Sequence, residues 1–337
     1  MPHAGGLAVC QGGFEALLCR EMSARGAPSS ASGPGWAFTE GDPLLLHEGA
    51  FPHAVLESPL RAKGESVNEL AQSVASIFFD SIRGERLEGP WPCVFAGGSE
   101  AVGLGRRVAS VEEAFHERLR GKLGRIAKLA TTQVPRIGPA RGLFVWFDDF
   151  HSAYVSRSAQ MNGQRRMADD PLAPSRSYLK VEEAYAIAGA EPAEGQSVCD
   201  LGAAPGGWSY SAARRGARVV AVDNGPMKLG ALGNPLISHR QSDAFGFGPA
   251  GGPTFDWLFS DILDDPHTII RSIAGPWLSK GWCRRFIINL KFGRVDPIAL
   301  LAELRSGDSP FARHADGVRI RHLYHDREEF TVTGAVR

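Results

Sequence analysis

Apolar positions along the chain change their spacing near residue 158, and each half predicts a different architecture. In the first half, residues 7–10 form a short apolar run, Gln11–Gly13 a turn, and 14–24 a helix with Phe14, Leu17, Leu18 and Met22 on one face. Residues 27–35, rich in Ser, Gly and Pro, predict a turn-rich loop. Helical spacing follows over 67–82 and 111–130, the latter weakened by Gly121 and Gly124. Strand-like runs fall at 91–95, 142–147 and 153–156. Together these predict a small α+β module. Residues 158–174 (SAQMNGQRRMADDPLAP) are polar with two prolines and predict a linker or mobile loop.

From Lys180 onward the pattern is regular. Helices are predicted at 181–188, 207–215 and 268–277, and strands at 197–201, 218–222, 257–260, 285–290 and 329–333. Strands alternating with helices predict a doubly wound, mostly parallel α/β sheet, which binds ligands beyond the carboxyl ends of its strands. The expected organisation is an N-terminal region at 1–160, a linker at 161–176 and a Rossmann-like domain at 177–337.

Composition narrows the class. The 337 residues are 43% hydrophobic and 22% charged, enough for about two packed domains and against disorder throughout. No run of 18 apolar residues exists, and the N-terminus lacks the basic start and apolar stretch of a secretory signal. Five scattered cysteines (10, 19, 93, 199, 283) form no CxxC pair, so neither a disulfide framework nor a metal site is expected, and a cytoplasmic location is. The net charge is zero, yet residues 106–180 hold 14 Lys/Arg against 7 Asp/Glu. Arg118, Lys122 and Arg125 make a basic stripe along one predicted helix, and Arg165 and Arg166 sit in the linker. Both groups are candidate contacts to RNA phosphates.

The sharpest motif is DLGAAPGGW, where a predicted strand meets a helix. Glycines there let a ligand approach the backbone, but Gly202, Ala203, Ala204, Pro205, Gly206, Gly207 and Trp208 do not spell the dinucleotide pattern G-x-G-x-x-G. Asp223 lies at the end of the next strand, where a carboxylate can accept both hydroxyls of a ribose. Asp243, where a third strand should end, can accept an adenine amino group. An adenosine without a diphosphate fits this set, namely S-adenosylmethionine.

With SRSYLK upstream and SDI and NLK downstream, the motif resembles the FtsJ/RrmJ superfamily of RNA ribose 2′-O-methyltransferases. APSRSYLKVEEA, VDNGPM, KGWCRRFIINLK and LYHDREE resemble most the RlmM type, which methylates a cytidine of large-subunit (23S) ribosomal RNA. The resemblance covers about residues 171–333, and the opening LAVCQGGFEALLCREM is similar as well. It implies a THUMP-like RNA-binding region for the N-terminal half. It also implies a catalytic Lys180, Asp261, Lys291 and Glu328, with Ser177 near the cofactor. A ribose hydroxyl must lose a proton as it attacks, so a lysine base needs a depressed pKa, which burial and a second ammonium would supply. Lys291, ending an apolar strand, is the expected neutral base and Lys180 its charged neighbour. Asp261 would orient Lys291, and the glutamate would hold Lys180 or the hydroxyl. Glu328 is preferred over Glu329 because DRE resembles the family's S-R-E, with Asp326 in place of the serine.

Other acceptors fit less well. Amino methylation usually carries a D/N-P-P-Y/F/W motif, and Ser260–Leu263 has no prolines. Cytosine C5 methylation needs a nucleophilic cysteine, and neither Cys283 nor Cys93 is well placed for it. A different RNA such as tRNA, or an inactive assembly factor that binds cofactor and RNA, remain as alternatives. Oligomeric state is left open.

Overall fold

The computed structural model describes residues 5–98, 102–249 and 254–337. The chain divides into two compact units, the first ending at Asn162 and the second starting at Gly163.

The first unit is built on a mixed sheet. Its strands are β1 (Gly6–Val9), β2 (Ser29–Gly33), β3 (Trp36–Thr39), β4 (Ala54–Glu57), β5 (Leu60–Lys63), β6 (Trp91–Gly97), β7 (Ala130–Thr131), β8 (Ile137–Phe147) and β9 (Ser152–Asn162). They run in the order β2-β3-β1-β4-β9-β8-β6-β7, with β5 also on β9. Helix α1 (Glu15–Ala24) follows β1. Helices α2 (Val67–Ser81) and α3 (Leu104–Ala127) share a core with this sheet that includes Leu70, Phe78, Phe115 and Leu119. A capping box starts α2: Ser66 Oγ accepts from Glu69 N, and the Glu69 carboxylate accepts from Ser66 N. At Leu123 the backbone leaves helical angles (φ −139°, ψ 59°), between the two glycines that weaken this stretch. The expected loop at 27–35 instead holds a strand and a turn with Gly35 at φ 77°, which leads directly into a second strand at Trp36. Pairing with β1 and β3 supplies the order that composition alone does not reveal.

The second unit contains α4 (Tyr178–Ala188), β10 (Ser197–Leu201), α5 (Gly207–Ala213), β11 (Arg218–Val222), β12 (Ile237–Arg240) and β13 (Phe255–Ser260). Next come α6 (Pro266–Ile269), α7 (Gly275–Ser279), β14 (Cys283–Lys291), α8 (Pro297–Arg305), α9 (Pro310–His314), β15 (Ala315–Arg321) and β16 (Glu329–Val336). Continuous apolar runs, such as Trp257–Leu258–Phe259, suit strands buried on both faces. The sheet order is β12-β11-β10-β13-β14-β16-β15. Strands β10 to β14 are parallel, whereas β16 is antiparallel to both β14 and β15. The order reverses between β10 and β13, which opens a crevice at their carboxyl ends.

The linker expectation is corrected here. Residues 158–162 extend β9 and pair with β4 and β8. Residues 163–176 belong to the second unit and are hydrogen-bonded into it. Arg165 N donates to Glu183 Oε1 (2.9 Å), Met167 N to His325 Nε2 (2.8 Å), and Tyr178 Oη to Ala168 O (2.7 Å). Polarity there reflects exposure of the side chains, while the backbone is held.

Among the described residues no helix is long and apolar enough to cross a membrane, and no group of three His, Cys, Asp or Glu could hold a metal ion.

Candidate active site

The glycine-rich turn leaves β10 at the crevice. Gly202 has φ 77°, and a Cβ there would lie 2.6 Å from Ile262 Cγ1. Gly206 has φ 105°, so both positions favour glycine on backbone grounds. A Cβ on Gly207 would meet Ser175 Oγ at 2.8 Å. Ala203 and Trp208 are buried, and the Ala204–Pro205 peptide is cis. Asp223 accepts hydrogen bonds from Ala204 N (3.0 Å) and Gly225 N (2.7 Å), which pins the turn to the end of β11. Asp243 is exposed beyond β12 and accepts from Phe245 N (3.1 Å). Beneath the turn, burial pushes the Asp200 carboxyl up to about 7 while Ser209 Oγ donates to it at 2.6 Å.

Trp208 ties the turn to the start of α4, donating from Nε1 to Ser177 O (2.9 Å) and Ser177 Oγ (3.0 Å). Ser177 Oγ in turn donates to Asp261 Oδ2 (2.6 Å). Asp261, the residue after β13, is the junction of an ionic ring. Lys291 Nζ donates to Asp261 Oδ1 and to Glu329 Oε2, the latter at 2.6 Å. Lys180 Nζ pairs with Glu329 Oε1 and lies 3.8 Å from Asp261 Oδ2. Side-chain exposure is 14% for Lys180, 19% for Lys291, 15% for Asp261 and 4% for Glu329, so little water screens these charges.

Glu329, not Glu328, meets the two lysines. It pairs in register with Lys291 across β14 and β16, so both side chains leave the same face. Glu328 is exposed one position earlier, with its carboxylate beside Gly293 and its carbonyl accepting from Phe292 N (2.7 Å). The triplet's likeness pointed to the wrong neighbour because pairing register is not written in three residues.

The charge state also differs from expectation. Burial opposes the Lys291 ammonium, but Asp261 and Glu329 outweigh it and hold its pKa above the ordinary lysine value. Burial likewise opposes the Asp261 and Glu329 carboxylates, yet Lys180 and Lys291 keep both below their usual range. Two carboxylates answer the two amines, so Lys291 is not made neutral by the neighbouring lysine.

Sequence reasoning missed Asn289, whose Nδ2 donates to Asp261 Oδ1 (3.2 Å). The signal was an amide inside the apolar run FIINLK. It also missed Glu183, buried on α4, which accepts from Arg165 N, Tyr324 N (2.8 Å) and His325 N (3.1 Å). Burial pushes its carboxyl up to about 7. Arg165 and Arg166 are exposed in the segment this carboxylate anchors.

In the first unit the basic stripe divides. Arg118 donates to Gln72 Oε1 (3.3 Å), Ala114 O (2.9 Å) and Asn68 O (3.2 Å), joining α3 to α2. Lys122 Nζ lies 4.5 Å above the Phe79 ring, and Arg125 is exposed. Gln72, Ser76, Phe79, Asp80, Arg118 and Lys122 line a cleft of about 430 Å³. The five cysteines are free thiols, and burial pushes both Cys93 and Cys283 up to about 12, unsuited to a nucleophile.

The strand order with its antiparallel closing hairpin, and the glycine turn at the switch point, define a class I methyltransferase fold. The family model for the FtsJ-like methyltransferase matches residues 173–267. Across 97% of this chain and 93% of its own, the "Ribosomal RNA large subunit methyltransferase M" of Alkalilimnicola ehrlichii is 30% identical. The protein of that name from Marinomonas sp. is 38% identical over 203 residues, 56% of this chain and 57% of that one. That match, like the one with the Pectobacterium atrosepticum relative (46%), spans less than two thirds of the relative's length. The chain belongs to the ribosomal RNA large subunit methyltransferase M family. Among solved structures, SMU.472, titled "a putative methyltransferase complexed with SAH", aligns over 99% of this chain and 98% of its own at 12% identity and a TM-score of 0.36.

Proposed function

We propose that this chain methylates a ribose 2′-hydroxyl of large-subunit ribosomal RNA, on a cytidine, using S-adenosylmethionine. The observation that carries the reading is the closed ring of Lys180, Glu329, Lys291 and Asp261 at the carboxyl ends of β13 and β14. The chain's residues fit the cofactor. The Gly202–Gly207 turn has close approaches that a Cβ would fill, and Ser175 Oγ beside Gly207 is buried without a hydrogen-bond partner among the described residues. Asp223 holds the same turn through Ala204 N and Trp208 follows it at the start of α5, while Asp243, exposed beyond β12, is the further acceptor assigned to the adenine. When bound, the cofactor supplies a methyl group on a sulfonium.

The protein's own groups supply position and proton transfer. Lys291 Nζ is the proton acceptor for the attacking hydroxyl. It serves only after its own proton has passed to solvent, a loss that Asp261 and Glu329 oppose by holding the amine charged. Glu329 holds both amines in one plane of reach, and Lys180 keeps Glu329 from collapsing wholly onto Lys291. Holding nucleophile and methyl carbon together supplies much of the acceleration, with no covalent intermediate. The first unit is read as a THUMP-like RNA-binding region, and Lys122 and Arg125 on α3, with Arg165 and Arg166 in the second unit, as contacts to RNA phosphate.

The test is 2′-O-methylation mapping of total RNA from cells lacking this protein, with tritiated cofactor used to restore the mark in vitro. Loss and restoration at one large-subunit cytidine is the expected result. Label in tRNA, or binding without label, overturns the reading in favour of another acceptor or an assembly role.

A further inference from the structure

Beneath the ionic ring lies a hydrogen-bond chain that reaches a fully buried carboxyl. Asp261 is ionised between two lysines, so Asn289 must turn its Nδ2 toward it, and the amide oxygen then points the other way. Thr331 Oγ1 lies 2.5 Å from Asn289 Oδ1. An amide oxygen only accepts, so the single threonine proton is committed there. Yet Thr331 Oγ1 is also 3.1 Å from Asp326 Oδ2. With its hydrogen spent, the threonine can only accept at that second contact, and the proton between them must come from Asp326.

The surroundings of Asp326 agree. It is 2% exposed, Oδ2 also accepts from Leu323 N (2.9 Å), and Oδ1 has no hydrogen-bond partner among the described residues. An ionised carboxylate with an empty buried oxygen would carry a heavy desolvation cost. The charged groups facing it are Glu329 from β16, and Lys180 and Glu183 from α4. Burial and Glu329 push the Asp326 carboxyl well above the ordinary range, and Lys180 offsets only part of this.

We propose that Asp326 is an uncharged carboxylic acid beneath the ring and that, through Thr331 and Asn289, it is a positioning residue for Asp261. Asp261 carries both lysines, so slack in this chain would let its carboxylate rotate and misplace Lys291. The kinetic consequence rests on the methyl-transfer reading, whereas the protonation state does not.

Infrared spectroscopy on the full chain tests the protonation state directly. Asp200 and Glu183 ionise at about 7. At a pH well alkaline of that, the wild type should retain a carboxylic-acid carbonyl band that shifts in heavy water and is missing in Asp326→Asn. Absence of the band in the wild type, or its persistence in the variant, overturns the proposal. Should Asp326→Asn fail to fold, the wild-type band in an Asp200→Asn, Glu183→Gln background decides in the same way. The positioning role is read from Thr331→Val, which should lower kcat about 10²-fold with KM for RNA and cofactor unchanged, while Thr331→Ser restores it. Equal losses in both variants, or none, overturn that role. If no protein transfers methyl at all, the proposed function fails and the band still answers for Asp326.

Discussion

Lys291 and Glu329 sit directly opposite each other on the antiparallel pair β14/β16, with Lys291 Nζ 2.6 Å from Glu329 Oε2. A strand's side chains alternate between faces, so this register decides which of two adjacent glutamates belongs to the site. Glu329→Gln should therefore reduce single-turnover methyl transfer by about 10²-fold or more, and Glu328→Gln should leave it within about twofold. Rapid-quench measurements with saturating RNA and cofactor check this, and the opposite ranking would return the role to Glu328.

Lys291→Ala should retain cofactor affinity and lose about 10²–10⁴-fold in the single-turnover rate, the range for loss of a general base. Its truncation also strands two buried carboxylates, so a Lys291→Arg control, which keeps a cation for Asp261 and Glu329 but stays protonated and cannot act as a base, separates chemistry from folding. Calorimetric cofactor binding beside the transfer assay is the measurement. A near-normal rate removes Lys291 from the base role.

How much of this site was legible follows from which interactions are local. The turn at Gly202–Gly207 could be read because buried apolar runs frame it and its glycines stand at a strand-to-helix junction. Lys180, Asp261 and Lys291 were legible as residues at element ends. The choice of Glu329 was not, because it rests on long-range pairing over 38 positions. Strand β15 was missed because ADGVRIR alternates weakly, with a register shift between Asp316 and Arg319. The 163–176 segment misled because exposed polar side chains conceal a hydrogen-bonded backbone. The depressed lysine was inferred from like charges without counting the carboxylates between them.

The pH dependence of stability has two signs. Asp261 and Glu329 have lowered folded pKa values, so their contribution is present above their unfolded values of about 4 and is lost as pH falls through the folded ones. Lys291 has a raised folded pKa, so its contribution is complete below about 10.4 and is lost as pH rises through the folded value. Asp200 works against this window. Its carboxyl is raised to about 7, so its contribution is present below about 4 and lost as pH rises through about 7. Asp200→Asn should therefore flatten the fall in stability over that interval, by up to about 1.4 kcal/mol per pH unit. Urea melts of both proteins from pH 4 to 8 measure the difference, and parallel curves would refute it.

Arg118 and Arg125 should separate when each is changed to alanine. Arg118 spends its donors on α2 and α3, so its loss should destabilise the first unit by about 1–2 kcal/mol. Arg125 is exposed, and its loss should leave stability unchanged. On RNA the ranking reverses: changing Lys122 and Arg125 to glutamate should weaken binding and lower the salt slope by about 1 for each phosphate no longer neutralised. Binding titrations at several salt concentrations decide it, and an unchanged affinity rules this helix face out of RNA binding.

Gly202→Ala tests whether the turn is shaped for a ligand or only for itself. The substitution meets two obstacles, a left-handed φ of 77° and a contact of 2.6 Å between the new methyl and Ile262 Cγ1. A left-handed backbone costs an L-residue about 1–2 kcal/mol, and Ile262 adjoins Asp261, so the strain falls on the segment that carries the ring. Cofactor affinity should drop at least about tenfold, while the far-ultraviolet circular dichroism stays that of the wild type. Gly195→Ala is the control: it has φ 79° with nothing within 4 Å of the added methyl, so it bears the backbone cost without the clash. Equal affinity loss in both variants would show that global strain, and not the shape of the turn against Ile262, governs binding.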